Sequence, residues 1–324
     1  MLIDWQPTCT KAQLQLRAKL LARVRQYFAE RDVLEVETPL LGHAIGTDPQ
    51  LAFFTTQYHF LPEQQTLFMQ TSPEFAMKRL LAANSGSIYQ ICKAFRNGES
   101  GRFHNPEFSI LEWYRVGFNL CQLMDDCADL LAYMFDGKPI SVERLSYPGL
   151  FQRYTGLNAL EFSFDDYCHY VQQEKLSEAI DICQQDHATW LDFIFSHRVQ
   201  PNLGHEVIHM VYDYPACFSS LARLNPNNHQ VLERVELFIN GVELGNGYYE
   251  LSNAKEQSHR FDHEMLLRKQ NNLPEPVKDL RLIEALSTGL PDCSGMAIGL
   301  DRLLMVLADM ESIDQVIAFP VNIA

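Results

Sequence analysis

Two alternating runs of apolar and polar residues, 231–239 and 242–249, meet at Asn240-Gly241. A two-residue Asn-Gly connection takes left-handed backbone at both positions, and its twist matches that of paired antiparallel strands. The chain is thereby committed to a hairpin. Phe238 should face Glu243, with Glu236 and Glu243 diagonal on one side. Residues 88–95 and 107–115 alternate in the same way and are joined by the polar loop Asn97-Gly98-Glu99-Ser100-Gly101-Arg102. Residues 51–61, 67–71 and the small-residue run Cys293 to Gly299 read as further strands. Val33-Leu34-Glu35-Val36-Glu37-Thr38 alternates like a strand stopped by Pro39.

Helical spacing fills the intervals. Leu14, Leu20, Leu21, Val24 and Phe28 form one stripe through residues 10–31, and Leu120, Leu123, Met124, Cys127, Leu130 and Leu131 form another. Ser72-Pro73-Glu74 opens a helix with Ser as N-cap and Pro in the first helical position. Ser252 is expected to cap a helix ending near residue 270, and Leu300-Asp301-Arg302 begins the last one. Residues 140–205 are mostly helical and less patterned, an expected insertion in one domain spanning 10–324. The expected fold is α+β, a mainly antiparallel sheet flanked by helices.

Charge narrows the function. Forty-one acidic residues against 26 basic ones leave a net charge of -15, a poor match to a phosphate backbone. None of the eight cysteines forms a CxxC pair, which fits a reducing cytosol. The N-terminus MLIDWQPTCT has no basic segment followed by an apolar stretch, and no run approaches the ~18–20 apolar residues of a membrane span. A cytoplasmic protein is expected.

Three constellations carry chemistry. Arg96, Arg102 and His104 border the polar loop, and guanidinium forks suit phosphate oxygens. Counting by twos, Phe108, Ile110, Glu112 and Tyr114 share one strand face, an aromatic, a carboxylate and a phenol able to hold a base and an ammonium group. An ordinary hairpin with solvated charges would have the same pattern. Glu236 and Glu243 repel unless a cation lies between them, and Mg²⁺ carried by ATP is a candidate; exposed acids are the alternative. Gly245-Asn246-Gly247 permits close backbone approach, and Glu250 follows. In Gly295 to Arg302, small residues end a strand and an Arg begins a helix, an arrangement that attracts anions.

A competing motif is His205-Glu206-Val207-Ile208-His209, which matches the zinc-peptidase pattern H-E-x-x-H. That chemistry needs a helix. Val207, Ile208, Val211 and Tyr212 favour a strand, on which residues four apart lie ~13 Å apart and cannot share a metal.

Taken in order, the motifs resemble those of class II aminoacyl-tRNA synthetases. Glu35-Val36-Glu37-Thr38-Pro39 resembles the end of motif one, Phe95-Arg96-Asn97 through His104-Asn105-Pro106-Glu107-Phe108 motif two, and Gly299-Leu300-Asp301-Arg302 motif three. Ser72-Pro73-Glu74, Leu111-Glu112-Trp113-Tyr114 and Glu243-Leu244-Gly245-Asn246-Gly247 resemble the lysyl branch. Motif one begins near residue 10, which leaves no room for the anticodon-binding barrel of lysyl-tRNA synthetases. The chain is therefore similar to the free-standing ligases that attach (R)-β-lysine, and more weakly α-lysine, to a lysine of translation elongation factor P. That resemblance implies a protein acceptor, no stable tRNA complex and a homodimer paired through motif one. A truncated paralogue charging tRNA or another small acceptor, or an inactive regulatory module binding amino acid or ATP, are the alternatives.

The resemblance also implies residue roles. Arg96 clamps the α-phosphate and Phe108 stacks on adenine. Asn97, Gly98, Glu99 and Asn105 lie in the ATP-contacting part of motif two. Arg302 with Arg102 and His104 holds the distal phosphates, Glu243 and Leu244 border ATP and Mg²⁺ with Glu236 as second carboxylate, and Gly299 lets ATP pack closely. Ser72, Pro73, Glu74, Glu112, Tyr114, Asn246, Glu250 and Ala297 form the amino-acid pocket. Two departures stand out: Gly98 replaces the usual Glu, with Glu99 beside it, and Ala297 replaces a Gly. A Glu at position 98 is expected to tighten ATP binding if that contact is missing, and the Ala297 methyl to favour an amino group on the β carbon.

Overall fold

The structure, a computed structural model, describes residues 5–60, 62–135, 141–205, 207–218 and 221–324. Its elements run α1 (Lys11–Ala29), β1 (Leu34–Glu35), β2 (Leu41–Gly42), β3 (Phe54–Phe60), β4 (Glu63–Met69), α2 (Glu74–Ala82), β5 (Ile88–Phe95), β6 (Glu107–Val116) and α3 (Leu120–Met134). Then come β7 (Ser141–Ser146), α4 (Tyr147–Thr155), α5 (Phe164–Gln173), α6 (Ala179–Cys183), α7 (His187–Ile194), β8 (Val207–Pro215), β9 (Leu224–Asn225), β10 (Asn228–Ile239) and β11 (Val242–Tyr249). The chain closes with α8 (Ala254–Gln270), α9 (Leu280–Gly289), β12 (Cys293–Gly299) and α10 (Leu300–Ala308).

One large sheet has the order β1-β5-β6-β12-β11-β10-β8-β7, with β9 added beside β10. Its pairs are antiparallel except β1 with β5 and β7 with β8, at the two edges. β2, β4 and β3 form a small separate sheet.

Alternation sorts the large sheet into two faces. On one, Leu111, Trp113, Val235, Leu237, Met296 and Ile298 join the apolar stripes of α1, α3 and α10 in the main core. The other face is covered only at its ends. Val211, Tyr214 and Phe238 pack under α4–α7, and Ile88, Tyr114 and Cys293 pack with α2, α8 and α9. Between these two covers the middle strands stay open, and the candidate site lies there.

The Asn-Gly hairpin forms as expected, with Asn240 at φ 50° and Gly241 at φ 71°, and Phe238 faces Glu243. Other expectations need correction. β1 is only two residues long: Leu34 and Val36 donate to the carbonyls of Ser87 and Tyr89, after which the chain leaves toward Pro39, which has no N–H to continue the ladder. Ser252 does not cap α8. Asn253 does, its Oδ1 accepting from the amides of Lys255 and Glu256. α2 starts at Glu74 with Pro73 as the N-cap residue, although the Ser72 hydroxyl accepts from the Glu74 amide. The stretch 140–205 includes an edge strand, β7, before its helices.

Candidate active site

The open face is built from five neighbouring strands. Register places Ile110 beside Cys92 and Gly299, Glu112 beside Gln90 and Ala297, and Tyr114 beside Ile88 and Gly295. Ala297 in turn faces Asn246, which faces Glu236. Phe108, Ile110, Glu112 and Tyr114 therefore share one face, as their alternation predicted. β11 adds a twist of its own. Leu237 pairs with Gly245 but Phe238 with Glu243, so Leu244 is an extra residue, a bulge. Strict alternation would put Glu243 and Asn246 on opposite faces. The extra residue turns both toward the cleft, and both line it.

The phosphate end of the cleft is cationic. Arg96 and Arg302 line it together with His104 and Phe108. The Arg96 guanidinium lies 5.1 Å from the centre of the Phe108 ring and 3.5 Å from Glu99, and its buried Nε has no hydrogen-bond partner among the described residues. Arg302 donates to the carbonyls of Phe103 (3.2 Å) and Glu243 (2.7 Å) and, at 2.6 Å, to His104 Nε2. Burial and the Arg302 charge lower the His104 pKa, which keeps the ring neutral and able to accept. Asp301, next to Arg302, is 2% exposed; it pairs with Arg17 and accepts from the Ser109 amide at 2.6 Å. It therefore locks the start of α10 to β6 and α1, which fixes the Arg302 backbone.

Glu243 is pushed up to about 7 by burial and the nearby Glu236, against the pull of Arg302, Arg234 and Arg96. Glu236 is already held by Tyr214 and Arg234. A Cβ added at Gly299 would meet nothing nearer than the Leu244 carbonyl at 3.8 Å, so this glycine leaves free space on the ligand side. The empty space in the cleft is about 570 Å³, counted with the solvent at its mouth.

Next to the cleft, across the sheet from Ala297, lies a buried acidic cluster. Glu112 is 3% exposed and accepts from Tyr114 Oη at 2.6 Å and Ser72 Oγ at 2.9 Å. Burial, then the neighbouring Glu74, push its pKa up to about 8 despite those two donors. Glu250 is 1% exposed and is pushed up to about 7 by burial, with Lys78 pulling it back. The Asn246 amide donates to Tyr248 Oη at 3.1 Å, while its buried Oδ1 has no partner among the described residues. An acceptor and carboxylates, buried and short of positive charge, have the chemistry that attracts ammonium groups.

A sequence profile of the tRNA synthetases class II (D, K and N) matches residues 2–323. The chain belongs to this family. Among relatives of this class II synthetase chain are proteins named elongation factor P--(R)-beta-lysine ligase. The one from Vibrio parahaemolyticus is 46% identical over 327 residues, covering 100% of both chains. The one from Vibrio atlanticus is 46% identical over 98% of each chain. That from Haemophilus ducreyi is 43% identical over 99% of this chain and 97% of its own. The fold is thus the class II synthetase core, and the activity that of an ATP-dependent ligase.

Most residues singled out by the sequence converge in this class II cleft. Arg96, Glu99, His104, Asn105, Phe108, Glu243, Leu244, Asn246, Ala297, Gly299 and Arg302 line it. Ser72 and Tyr114 both donate to Glu112, and Glu74 and Glu250 are joined through a lysine. Some do not converge. Arg102 donates to the Glu311 carbonyl at 2.7 Å, toward the C-terminal segment, and Asn97 and Gly98 lie outside the lining. Asn105 reaches the cleft wall but is also a strut, donating to the Glu107 carbonyl and accepting from the Val321 amide. The zinc-like pair is divided: His205 Nε2 lies 2.8 Å from the Pro201 carbonyl, and His209 Nδ1 accepts from the Gly204 amide at the start of strand β8. Glu206 lies outside the described residues.

Sequence reasoning missed Lys78. It is 1% exposed, and its Nζ is 2.6 Å from both Glu74 Oε1 and Glu250 Oε2. The available signal was its spacing, four residues after Glu74 on α2, which places both on one helix face.

Proposed function

We propose that this chain activates (R)-β-lysine with ATP and transfers the lysyl group to the ε-amine of a lysine on translation elongation factor P. The observation carrying this reading is full-length identity of 42–46% with proteins named for that activity. The site supports it: a buried acidic cluster suited to a diamino acid lies next to a cationic cleft suited to a triphosphate, Glu112 pairing with the cleft residue Ala297.

Arg96 and Arg302 neutralise charge on the reacting phosphates, and Phe108 supplies a ring for the base. Ser72, Glu74, Glu112, Tyr114, Asn246 and Glu250 orient the two ammonium groups, so that the substrate carboxylate faces the nucleotide. The carboxylate oxygen attacks the α-phosphorus, the bond to the leaving pyrophosphate breaks, and an aminoacyl-adenylate forms. The acceptor amine then attacks its carbonyl carbon, AMP leaves and the amine proton is lost. Mg²⁺ would arrive with the phosphates, and Glu243 and the neighbouring Glu236 would be the carboxylates to hold it. When bound, it offsets phosphate charge. The acidic chain suits a protein acceptor better than tRNA, and no described helix could cross a membrane. A cytoplasmic homodimer completes the reading.

The test is intact-mass analysis of elongation factor P incubated with the protein, ATP, Mg²⁺ and (R)-β-lysine, beside α-lysine and tRNA reactions. A gain of one lysyl unit, fastest with the β-amino acid, is expected. An unmodified factor together with charged tRNA would replace this reading.

A further inference from the structure

The acidic pocket holds a cation of its own. Lys78 is buried on α2 between Glu74, on its own helix, and Glu250, at the end of β11. Both contacts are 2.6 Å, and both carboxylates belong to the set that receives the amino acid. Lysine is rarely buried without a partner, because losing water around an ammonium costs several kcal/mol. Here burial does work against the charge, but Glu250 and Glu74 outweigh it, and Lys78 is held above its ordinary range. The ammonium is therefore permanent.

The other titratable groups around this cluster are Glu112 and Tyr114 from β6, Tyr248 from β11 and Cys293 from β12. Arg223 donates to the Glu250 carbonyl, pairs with Asp292 and adds a weaker pull on the Glu250 carboxyl. With a diamino acid bound and all three carboxyls ionised, three carboxylates face the one lysine ammonium, and the excess of two negative charges matches the two ammonium groups of the ligand. Without Lys78, Glu74 and Glu250 would lose their only ion-pair partner among the described residues.

We propose that Lys78 is a positioning residue for substrate selection: its ammonium, bridging Glu74 and Glu250, aligns both carboxyls, favours their charged form and tunes the pocket to a substrate with two positive charges. This rests on the reading of the pocket as the diamino-acid site. Lys78 touches the receptor carboxylates and acts through them. Burial already raises Glu250 to about 7 with Lys78 present. Removing the cation takes the Glu250 carboxyl further up, so it holds a proton at neutral pH and no longer attracts an ammonium group, while Glu74 loses the ion pair that aligns it. Raising the pH restores the Glu250 charge.

The experiment is ATP–pyrophosphate exchange by full-length wild-type, Lys78→Met and Lys78→Arg proteins between pH 6.5 and 8.5, with (R)-β-lysine and α-lysine. Lys78→Met is expected to raise the amino-acid KM about tenfold or more at pH 7, with the ATP KM within about twofold. The penalty should shrink as the pH rises, and Lys78→Arg should recover part of it. A penalty independent of pH, or one shared by both KM values, would make Lys78 a purely structural strut and overturn the proposal. An unchanged KM would do the same.

If Lys78→Met does not fold, calorimetry on the wild-type protein in buffers of different ionisation enthalpy decides. Binding of the diamino acid at pH 7 should release between one and two protons, most of one from Glu112 and about half of one from Glu250. Release of two or more would mean that Glu250 is fully protonated in the free pocket despite Lys78, against the proposal. Wild-type protein that neither activates nor binds a diamino acid would overturn the pocket reading first and this role with it. Normal wild-type activation with an indifferent Lys78→Met would overturn this role alone.

Discussion

Glu112→Gln should stabilise the free protein at high pH while weakening the amino-acid site. The ordinary carboxyl value is 4.5, and the fold raises Glu112 to about 8, first by burial and then by the charge of Glu74. A carboxyl raised in the folded state binds its proton more tightly there than in the unfolded chain. Its cost is thus absent below the unfolded value, grows as pH rises through the window from 4.5 to about 8, and levels off above it. At about 1.4 kcal/mol per pH unit, the ceiling is about 4–5 kcal/mol. Glutamine removes that cost but disturbs the hydroxyls of Ser72 and Tyr114, which both donate to the carboxylate. One must reorient, offsetting about 1–2 kcal/mol. The net gain expected is about 2–4 kcal/mol at pH 8.5, and near zero at pH 5.5, where the carboxyl cost is no larger than that offset. Urea unfolding at the two pH values reads the difference directly. A gain equal at both, or a loss at pH 8.5, would refute the charge argument. The same titration predicts that the wild-type amino-acid KM falls between pH 6.5 and 8.5, and that this slope flattens in the variant.

Other expectations follow from neighbouring positions. Ala297 faces both Glu112 and Asn246 across the sheet, so Ala297→Gly should improve use of α-lysine relative to (R)-β-lysine; an unchanged ratio in pyrophosphate exchange would count against that steric role. Gly98 has φ 80°, a conformation costing ordinary residues about 1 kcal/mol or more, while Glu99 already lines the cleft. Gly98→Glu should therefore leave ATP affinity unimproved, and Glu99→Ala should raise the ATP KM severalfold; a clear tightening in the first variant would restore the missing-contact explanation. A methyl on Gly295 would press into the Tyr114 ring and come within 2.8 Å of Glu250 Oε1, so Gly295→Ala should cost about 1–3 kcal/mol in urea unfolding and most amino-acid binding. Light scattering at micromolar concentration should give the mass of two chains, and a monomer would remove the motif-one dimer.

Much of this protein was legible in one dimension because its signals are local. The Asn240-Gly241 turn sets its own register, and alternation along residues 108–114 puts Phe108, Glu112 and Tyr114 on one face whatever surrounds them. The order of the motifs then identifies the synthetase core. Caps one residue apart were harder. Ser252 and Asn253 are both good cap types, and only the backbone path decides which side chain meets the amides of Lys255 and Glu256.

Three features needed the tertiary structure. The bulge at Leu244, which brings Glu243 and Asn246 into the same cleft, depends on how β10 and β11 pair in the finished sheet. Arg102, equivalent to Arg96 as a sequence symbol, is drawn to the Glu311 carbonyl by a segment more than two hundred residues away. Lys78 reads in sequence as one more helix charge. It becomes the pocket's internal cation only when β11 carries Glu250 up against α2, because burial of a charge, and the pairing that burial demands, are properties of the folded neighbourhood.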